Sequence, residues 1–164
     1  MTRLGSDTWV WVPSNGRTIR MQRDDEPRPR DVRIPSWYKN IFWVAGSRDG
    51  RSVVFVGWQA PSEDSLGIGV LTLPDNKFTQ VFATFGEGGG AWMLDDGSIG
   101  VILNDTPESA TLYRVPPGGS PKRLGSTPRL ISQGTTLSVS TDLRRAFLIT
   151  PDDRRDIWMS RVVR

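Results

Sequence analysis

Residues 91–103 read AWMLDDGSIGVIL and place a tight Asp-Gly turn between two short apolar runs. Such a pair favours a β-hairpin, because its backbone readily adopts the turn geometry that joins two twisted antiparallel strands. The dipeptide Asp49-Gly50 lies 47 residues (96 − 49) before Asp96-Gly97, and a further turn at Asp142 follows after 46 residues (142 − 96). The spacing therefore predicts an internal repeat of β-hairpins.

A second landmark has nearly the same period. Ile68, Tyr113 and Trp158 occupy similar short strands at intervals of 45 residues (113 − 68 and 158 − 113). A repeat of this length, built from strands and glycine-containing turns, is typical of β-propellers, in which each blade is a four-stranded antiparallel sheet. No segment shows a sustained apolar period of 3.6 residues, so we expect less than about 10% helix.

Two units of the repeat contain all four strands of a blade, and a third unit is incomplete. The complete blades span about residues 38–84 and 90–125, and the partial blade spans about 135–164. The predicted strands are 41–44, 52–56, 68–73 and 78–82, then 91–94, 98–103, 111–115 and 121–124, then 136–140, 146–150 and 156–163.

The N-terminal region predicts only half a blade, over about residues 7–21. Residues 8–12 and 17–21 match the third and fourth strands of a unit, and residues 22–36 fit no repeat and are expected to form an inserted loop. We therefore expect an all-β chain of about three blades, a single partial propeller domain over residues 1–164.

Such a chain could be half of a six-bladed propeller. Because unpaired strand edges invite association and two-fold symmetry is common, we expect a homodimer that closes the ring. In this arrangement residues 17–21 of one chain complete the last blade of the other.

The composition excludes several kinds of chemistry. The chain has no cysteine and no histidine, so it cannot form disulfides, Cys- or His-ligated zinc sites or a Ser-His-Asp triad. The Asp-Gly turns offer too few oxygen ligands for a calcium loop, and the adjacent Asp95 and Asp96 do not form a glycosidase pair. The glycine run at 86–90 precedes a predicted strand, not the helix that a phosphate loop needs. We expect no enzymatic activity, no metal and no cofactor.

The charge balance gives little reason to expect a nucleic-acid partner. Lysine and arginine number 21 against 18 acidic residues, a net charge of +3, and the arginine-rich stretch 17–33 also contains acidic residues. The N-terminus has no apolar leader and no run is as long as a membrane helix. As written, the chain is therefore expected in the cytoplasm with no membrane partner.

The unit over residues 90–124 resembles a blade of the TolB-like, WD40-like β-propeller repeats. Trp92 precedes the Asp96-Gly97 turn, Leu112-Tyr113-Arg114-Val115 follows it, and Asp156-Ile157-Trp158 fits the same pattern. The resemblance covers about residues 38–164 and, more weakly, 7–21. It departs from the family where Trp92 lies four residues before Asp96 instead of three, and where Leu143 replaces a turn glycine. It implies a bacterial propeller fold with a protein-binding role, and it carries over no catalytic residue.

The binding candidates are aromatic and arginine side chains near loops. Loops that join the second and third strands, or successive blades, share one face of a propeller, and long loops on a rigid scaffold commonly carry binding function. Tryptophan, tyrosine and arginine are also frequent at interfaces. The candidates are Arg28, Arg30, Arg33, Trp37, Tyr38, Trp58, Arg154 and Arg155. Trp43, Trp92 and Trp158 lie at repeat positions and are expected between blades.

These features favour a non-enzymatic interaction or sensor propeller that binds a protein or peptide through its loop-rich face. One alternative is an accessory propeller domain of an enzyme, such as a bacterial serine/threonine kinase or a prolyl-oligopeptidase-like peptidase. Another alternative is a self-assembling structural module. The sequence leaves both open.

Overall fold

The computed structural model of the chain consists of β-strands, turns and connections, without helix, in the part that it describes. That part covers residues 1–61, 65–85, 88–106, 109–128, 136–139, 145–149 and 158–161. Its strands are β1 (Thr2–Leu4), β2 (Thr8–Trp11), β3 (Thr18–Arg23), β4 (Arg30–Arg33), β5 (Tyr38–Gly46), β6 (Ser52–Gln59), β7 (Ser65–Thr72), β8 (Lys77–Phe85), β9 (Gly89–Met93), β10 (Ile99–Thr106), β11 (Ser109–Val115), β12 (Lys122–Pro128), β13 (Thr136–Val139), β14 (Arg145–Ile149) and β15 (Trp158–Arg161). The predicted all-β class is confirmed.

The strands form four antiparallel sheets in which each strand pairs only with its neighbours in the sequence. We call these sheets blade 1 (β1–β4), blade 2 (β5–β8), blade 3 (β9–β12) and blade 4 (β13–β15). Every strand predicted for blades 2, 3 and 4 overlaps an observed strand. Gly50 and Gly97 have φ angles of 74° and 78°, so the Asp-Gly turns place glycine where a left-handed backbone is required.

Blade 1 differs from the predicted half blade, because it contains four strands in the order β1-β2-β3-β4. The predicted inserted loop, residues 22–36, contains the edge strand β4. The sequence signal was weak because β1 has three residues and β4 has only one partly buried side chain, Val32, between exposed charged residues. Residues 17–21 therefore belong to the third strand, between β2 and β4, and cannot complete the last blade of another chain as predicted.

Among the described residues the hydrophobic core lies in two interfaces, one between blades 1 and 2 and one between blades 2 and 3. Alternate residues of β6 face opposite ways: Val53 and Phe55 join the cluster shared with blade 1, and Val54 and Val56 join the cluster shared with blade 3. All four are at most 1% exposed. Burying each such side chain stabilises the fold by roughly 1.5–3 kcal/mol. Because the two faces of β6 belong to different clusters, this strand packs blade 2 against both blade 1 and blade 3.

The first strands of adjacent blades approach each other at backbone distance. A Cβ atom on Gly46 in β5 would lie 2.3 Å from the carbonyl oxygen of Arg3 in β1, so only glycine fits there. The N–H of Gly5 donates to the carbonyl of Ser47 at 2.9 Å across the same interface.

Within the described chain, no helix is long and apolar enough to cross a membrane.

Tryptophans connect blades 2 and 3, as the sequence predicts for Trp43 and Trp92. The Trp43 Nε1–H donates to the carbonyl of Ala91 at 3.0 Å, and the two indole rings meet edge to face with centroids 5.8 Å apart. The side chain of Trp158 lies outside the part that the structure describes. The indole hydrogen bond fixes the position of β9 against β5 and gives the interface a polar link.

Candidate binding cleft

An open cleft of about 430 Å³ crosses one end of blade 2. Its described lining consists of Trp37, Gln59, Ala60, Pro61, Ser65, Gln80 and Phe85. The cleft touches all four strands at one end of the sheet, since Trp37 precedes β5, Gln59 ends β6, Ser65 begins β7 and Phe85 ends β8. This is the end that carries the connection from blade 1 and the connection between β6 and β7.

Two exposed aromatic rings dominate the apolar part of the cleft. Trp37 is 49% exposed and Phe85 is 78% exposed, which leaves much of each ring open to a ligand. The N–H of Ala60 donates to the carbonyl of Trp37 at 2.9 Å and ties the backbone before β5 to the end of β6. Trp37 is therefore an exposed side chain on a fixed backbone, as an interface anchor requires.

The polar part of the cleft is a chain of three side chains. The Ser65 hydroxyl donates to Gln59 Oε1 at 3.0 Å, and Gln59 Nε2 donates to Gln80 Oε1 at 2.9 Å. Within the described residues, Gln80 Nε2 has no hydrogen-bond partner, and Gln59 Nε2 uses one of its two N–H groups. This series of hydrogen bonds therefore leaves N–H groups of Gln59 and Gln80 available to a ligand.

Tyr38 forms part of the core beside the cleft. Its side chain is 1% exposed, and its ring meets Phe55 edge to face with centroids 5.1 Å apart. Gly67 makes room for it, because a Cβ there would lie 2.7 Å from Tyr38 Cε1 and 2.9 Å from Gln59 Cγ. The Tyr38 hydroxyl is buried without a partner in the described chain, and burial raises its pKa. This corrects the sequence-based assignment of Tyr38 as a surface binding residue.

The other sequence candidates that the structure describes lie away from the cleft. Trp58 is partly buried against the cluster between blades 2 and 3, with its ring centroid 5.8 Å from that of Phe42. Arg28 lies in the exposed connection before β4, and Arg30 and Arg33 are exposed on β4 itself. None of these three arginines has an ion pair with another described residue. Arg154 and Arg155 lie outside the described residues.

Most of the cleft was not predicted from the sequence. Trp37 was, but Gln59 lies in β6, Gln80 and Phe85 lie in β8, and none of the three belongs to a sequence motif. The sequence held one indirect signal for the position of these residues, which is the alternation of side chains at the start of a strand. A strand that starts with a buried Tyr38 directs the preceding side chain outward, toward whatever lies at the end of the next strand.

The Asp-Gly turns are closed by their own hydrogen bonds. Asp49 Oδ1 accepts from the Ser47 hydroxyl at 2.6 Å and from the Arg51 N–H at 3.0 Å, and these contacts lower the pKa of Asp49. Asp96 has a lowered pKa for the same reason, first through Ser98 and then through Arg114. The described residues contain no group of three potential metal ligands. The carboxylates of Asp49 and Asp96 thus have structural partners within their own turns.

Comparison with known proteins identifies the architecture. No protein-family model matches the chain, and a search of curated proteins finds no significant match. Among solved structures, TolB from Acinetobacter baumannii is similar, with 16% identity over 93% of this chain and 36% of that chain, at a TM-score of 0.60. The β-propeller domain of the Trilobed protease from Pyrococcus furiosus matches with 10% identity over 90% and 46%, at 0.56. A functionally unknown protein from Desulfotomaculum acetoxidans matches with 14% identity over 94% and 51%, at 0.58.

These likenesses show that the chain has a β-propeller fold. At such identities they concern the fold alone. The chain spans between 36% and 51% of the length of these three structures. The β-propeller architecture expected from the repeat is therefore confirmed.

Proposed function

We propose that this chain is a non-enzymatic propeller that binds a protein or peptide segment in the cleft across blade 2. The observation that carries the proposal is the pair of exposed rings, Trp37 and Phe85, beside hydrogen-bond donors on a four-stranded sheet. Interfaces concentrate their binding energy in such aromatic anchors, and the surrounding polar groups orient the partner.

The chemistry of the cleft supports binding over catalysis. Among the described residues that line it, none has a side chain that could act as a general acid or base near neutral pH. Ser65 carries the one hydroxyl of this described lining, and it donates to the amide oxygen of Gln59. An activated nucleophile would instead need a neighbouring base. The described lining of the cleft therefore supports recognition, and none of its residues is a group that hydrolysis would use.

The proposal is tested by selecting ligands from a random peptide library displayed on phage. We expect enrichment of peptides that bind the wild-type chain and bind the Trp37→Ala variant at least about tenfold more weakly, as loss of an aromatic hot spot predicts. Leu124→Ala is the matched control, because Leu124 is 51% exposed on β12, in a different blade. A selection without enrichment, or enriched peptides that bind all three proteins equally, would contradict the proposal.

A second candidate function is that of an accessory propeller of an enzyme. It is favoured by the similarity to the propeller domain of the Trilobed protease and by the partial coverage of the similar structures. A parent open reading frame that encodes a kinase or peptidase domain beside these blades would support it. Peptides selected on the isolated chain would then be expected to resemble substrates or segments of that enzyme.

Self-association is a third proposal, and it concerns the face of blade 1 that points away from blade 2. Trp9 and Trp11 lie on this face, opposite the buried Val10, and both are partly exposed. The guanidinium of Arg3 lies 4.0 Å from the ring centroid of Trp9. We propose that a second copy covers these indoles. Sedimentation at micromolar concentration tests this: a dimer that Trp11→Glu dissociates supports it, and a wild-type monomer overturns it.

A further inference from the structure

We propose that a second, smaller cleft, between blades 1 and 2, binds a small zwitterion such as a free amino acid. This second cleft has a volume of about 290 Å³ and lies at the end of blade 2 opposite the cleft described above. Blade 1 contributes the ends of its strands and the connection between β3 and β4, and blade 2 contributes Gly50 and Leu73 from its two turns. The site is separate from that of the proposed function and does not depend on Trp37.

The floor of the second cleft is apolar, and its charged groups stand on the walls. Leu4 and Met21 are at most 2% exposed and belong to the hydrophobic cluster between blades 1 and 2. Leu73 is half-buried against the same cluster. The floor offers a ligand no polar partner, so the ionic groups of a ligand must meet the walls while its carbon atoms lie against Leu73.

Two residues of opposite charge on the walls, Glu26 and Arg30, have fixed backbones. Arg30 pairs with Met21 in the sheet of blade 1. The N–H of Glu26 donates to the carbonyl of Arg23 at 3.1 Å, and the carbonyl of Glu26 accepts from Gln22 Nε2 at 3.2 Å. Both charged side chains therefore start from defined positions at the edge of the cleft.

The charges of Glu26 and Arg30 are not neutralised by neighbours. Neither the carboxylate nor the guanidinium has a hydrogen-bond or ion-pair partner in the part of the chain that the structure describes. The remaining charged lining residue, Arg23, is instead paired with Asp7 at 3.4 Å and with Asp25 at 3.2 Å. The second cleft thus presents one unpaired carboxylate and one unpaired guanidinium.

The connection between the two charged residues contains two prolines. Pro27 and Pro29 each have a fixed φ angle, and each also restricts the residue before it. The backbone therefore limits how closely Glu26 and Arg30 approach each other. A ligand that bridges them gains two ion pairs without breaking one between them.

The size and charge of the second cleft define the class of ligand. A sphere of its volume is about 8 Å across, which suits a small molecule. The ammonium group of a zwitterion would pair with Glu26, and its carboxylate would accept two parallel hydrogen bonds from the Arg30 guanidinium. A ligand with only negative charge would be repelled by Glu26, and one with only positive charge by Arg30. A zwitterion is therefore complementary to both walls.

The exposure of the two side chains sets the strength of binding. Glu26 and Arg30 are both exposed, and exposed ion pairs contribute little and are screened by salt. We therefore expect a Kd on the order of 1 mM at about 50 mM NaCl, and weaker binding at about 500 mM NaCl.

The probes for the test are leucine, N-acetylleucine, which lacks the ammonium charge, and leucinamide, which lacks the carboxylate. At about pH 6 the α-amino group is protonated and the α-carboxyl group is ionised wherever each is present. Titration of the ¹⁵N-labelled chain, followed by NMR, measures affinity and location together. We expect leucine to shift the amide signals of Gly50 and Arg30 saturably, and the other two ligands to bind at least about fivefold more weakly. No saturable shift of these signals, or equal affinity for all three ligands, would overturn the inference.

Two variants assign each ligand charge to its wall. Glu26→Gln should weaken leucine binding at least about fivefold and leave N-acetylleucine binding unweakened, because that ligand has no ammonium group to lose a partner. Arg30→Gln should weaken leucine binding by a similar factor and leave leucinamide binding unweakened. Arg33→Gln is the matched control, since Arg33 is exposed on the same strand but does not line the second cleft.

The pattern of losses separates recognition from a structural or long-range effect. A variant that weakens all three ligands equally would show that the residue supports the shape of the cleft and would contradict its assignment as an ion-pair partner. A loss by Arg33→Gln as large as that by Arg30→Gln would attribute binding to the overall charge of β4 and would also contradict the assignment.

Discussion

Replacing Gly46 with alanine tests the contact between the first strands of blades 1 and 2. The new Cβ would lie 2.3 Å from the Arg3 carbonyl oxygen and 2.6 Å from the Cα of Leu4, whereas ordinary contacts are about 3.5 Å or longer. Strand β1 would have to move outward by about 1 Å, because backbone atoms cannot rotate away as a side chain can. The movement would loosen the packing of Leu4, which is 2% exposed in the cluster between the blades.

We expect Gly46→Ala to lower the free energy of unfolding by about 2–4 kcal/mol. Overpacking accounts for about 1–3 kcal/mol, and the strained hydrogen bond from Gly5 to Ser47 accounts for about 1 kcal/mol more. For a chain of this size the loss corresponds to a Tm lower by about 5–15 °C, which thermal unfolding followed by circular dichroism would measure.

Gly125→Ala is the matched control for this substitution. Gly125 also lies in a strand, β12, but no heavy atom comes within 4 Å of its added Cβ. We expect this variant to keep or slightly raise the Tm, because alanine restricts the unfolded chain. Equal Tm values for the two variants would refute the close approach of β1 and β5.

The remaining predictions concern one buried hydroxyl and two surface contacts. Tyr38→Phe should raise the free energy of unfolding in urea by about 1 kcal/mol, because it removes a buried hydroxyl without a partner; a loss of stability would reveal a partner. The lowered pKa of Asp96 means that the unfolded chain takes up the proton first as the pH falls. The contribution of Asp96 is therefore complete above about pH 4 and is lost as the pH falls through its lower folded value. Asp96→Asn should flatten the Tm profile below about pH 4, and an unchanged slope would argue against the contact with Ser98. Arg20→Ala should lower stability by less than about 1 kcal/mol, since its 2.7 Å ion pair with Asp31 is exposed; a larger loss that persists in about 1 M salt would contradict this.

The complete blades could be predicted from the sequence because their local signals agree. Apolar runs such as Val53–Val56 are the mark of a strand buried on both faces, and Asp-Gly pairs supply the turn glycines that the backbone needs. In blade 1 the local sequence signals for strands and turns do not agree. Its last strand, Arg30–Arg33, is held by pairing with β3 and buries only part of Val32, so its sequence reads as a charged loop.

The candidate cleft was less predictable than the fold. Trp37 could be selected as an aromatic residue near a loop, but its neighbour Tyr38 was selected on the same grounds and is buried. Which of two adjacent side chains points outward depends on the register of β5 against β6, where Tyr38 pairs with Gln59. Gln80 pairs with Gly69 of β7 beside a shift in the register of the two strands, a position that no sequence motif marks. Such coincidences of register are a property of the assembled sheet.

Because each described strand pairs only with its sequence neighbours, this topology also determines how the effect of a destabilising substitution is transmitted from blade to blade. Blade 1 and blade 3 each share their described hydrophobic cluster with blade 2. Energetically, these blades then behave like links in a one-dimensional chain, in which each link senses only the adjacent ones. A destabilising substitution in blade 1 should therefore lower the stability of blade 3 only through its effect on blade 2. Hydrogen exchange should show opening that starts at a terminal blade and advances one blade at a time.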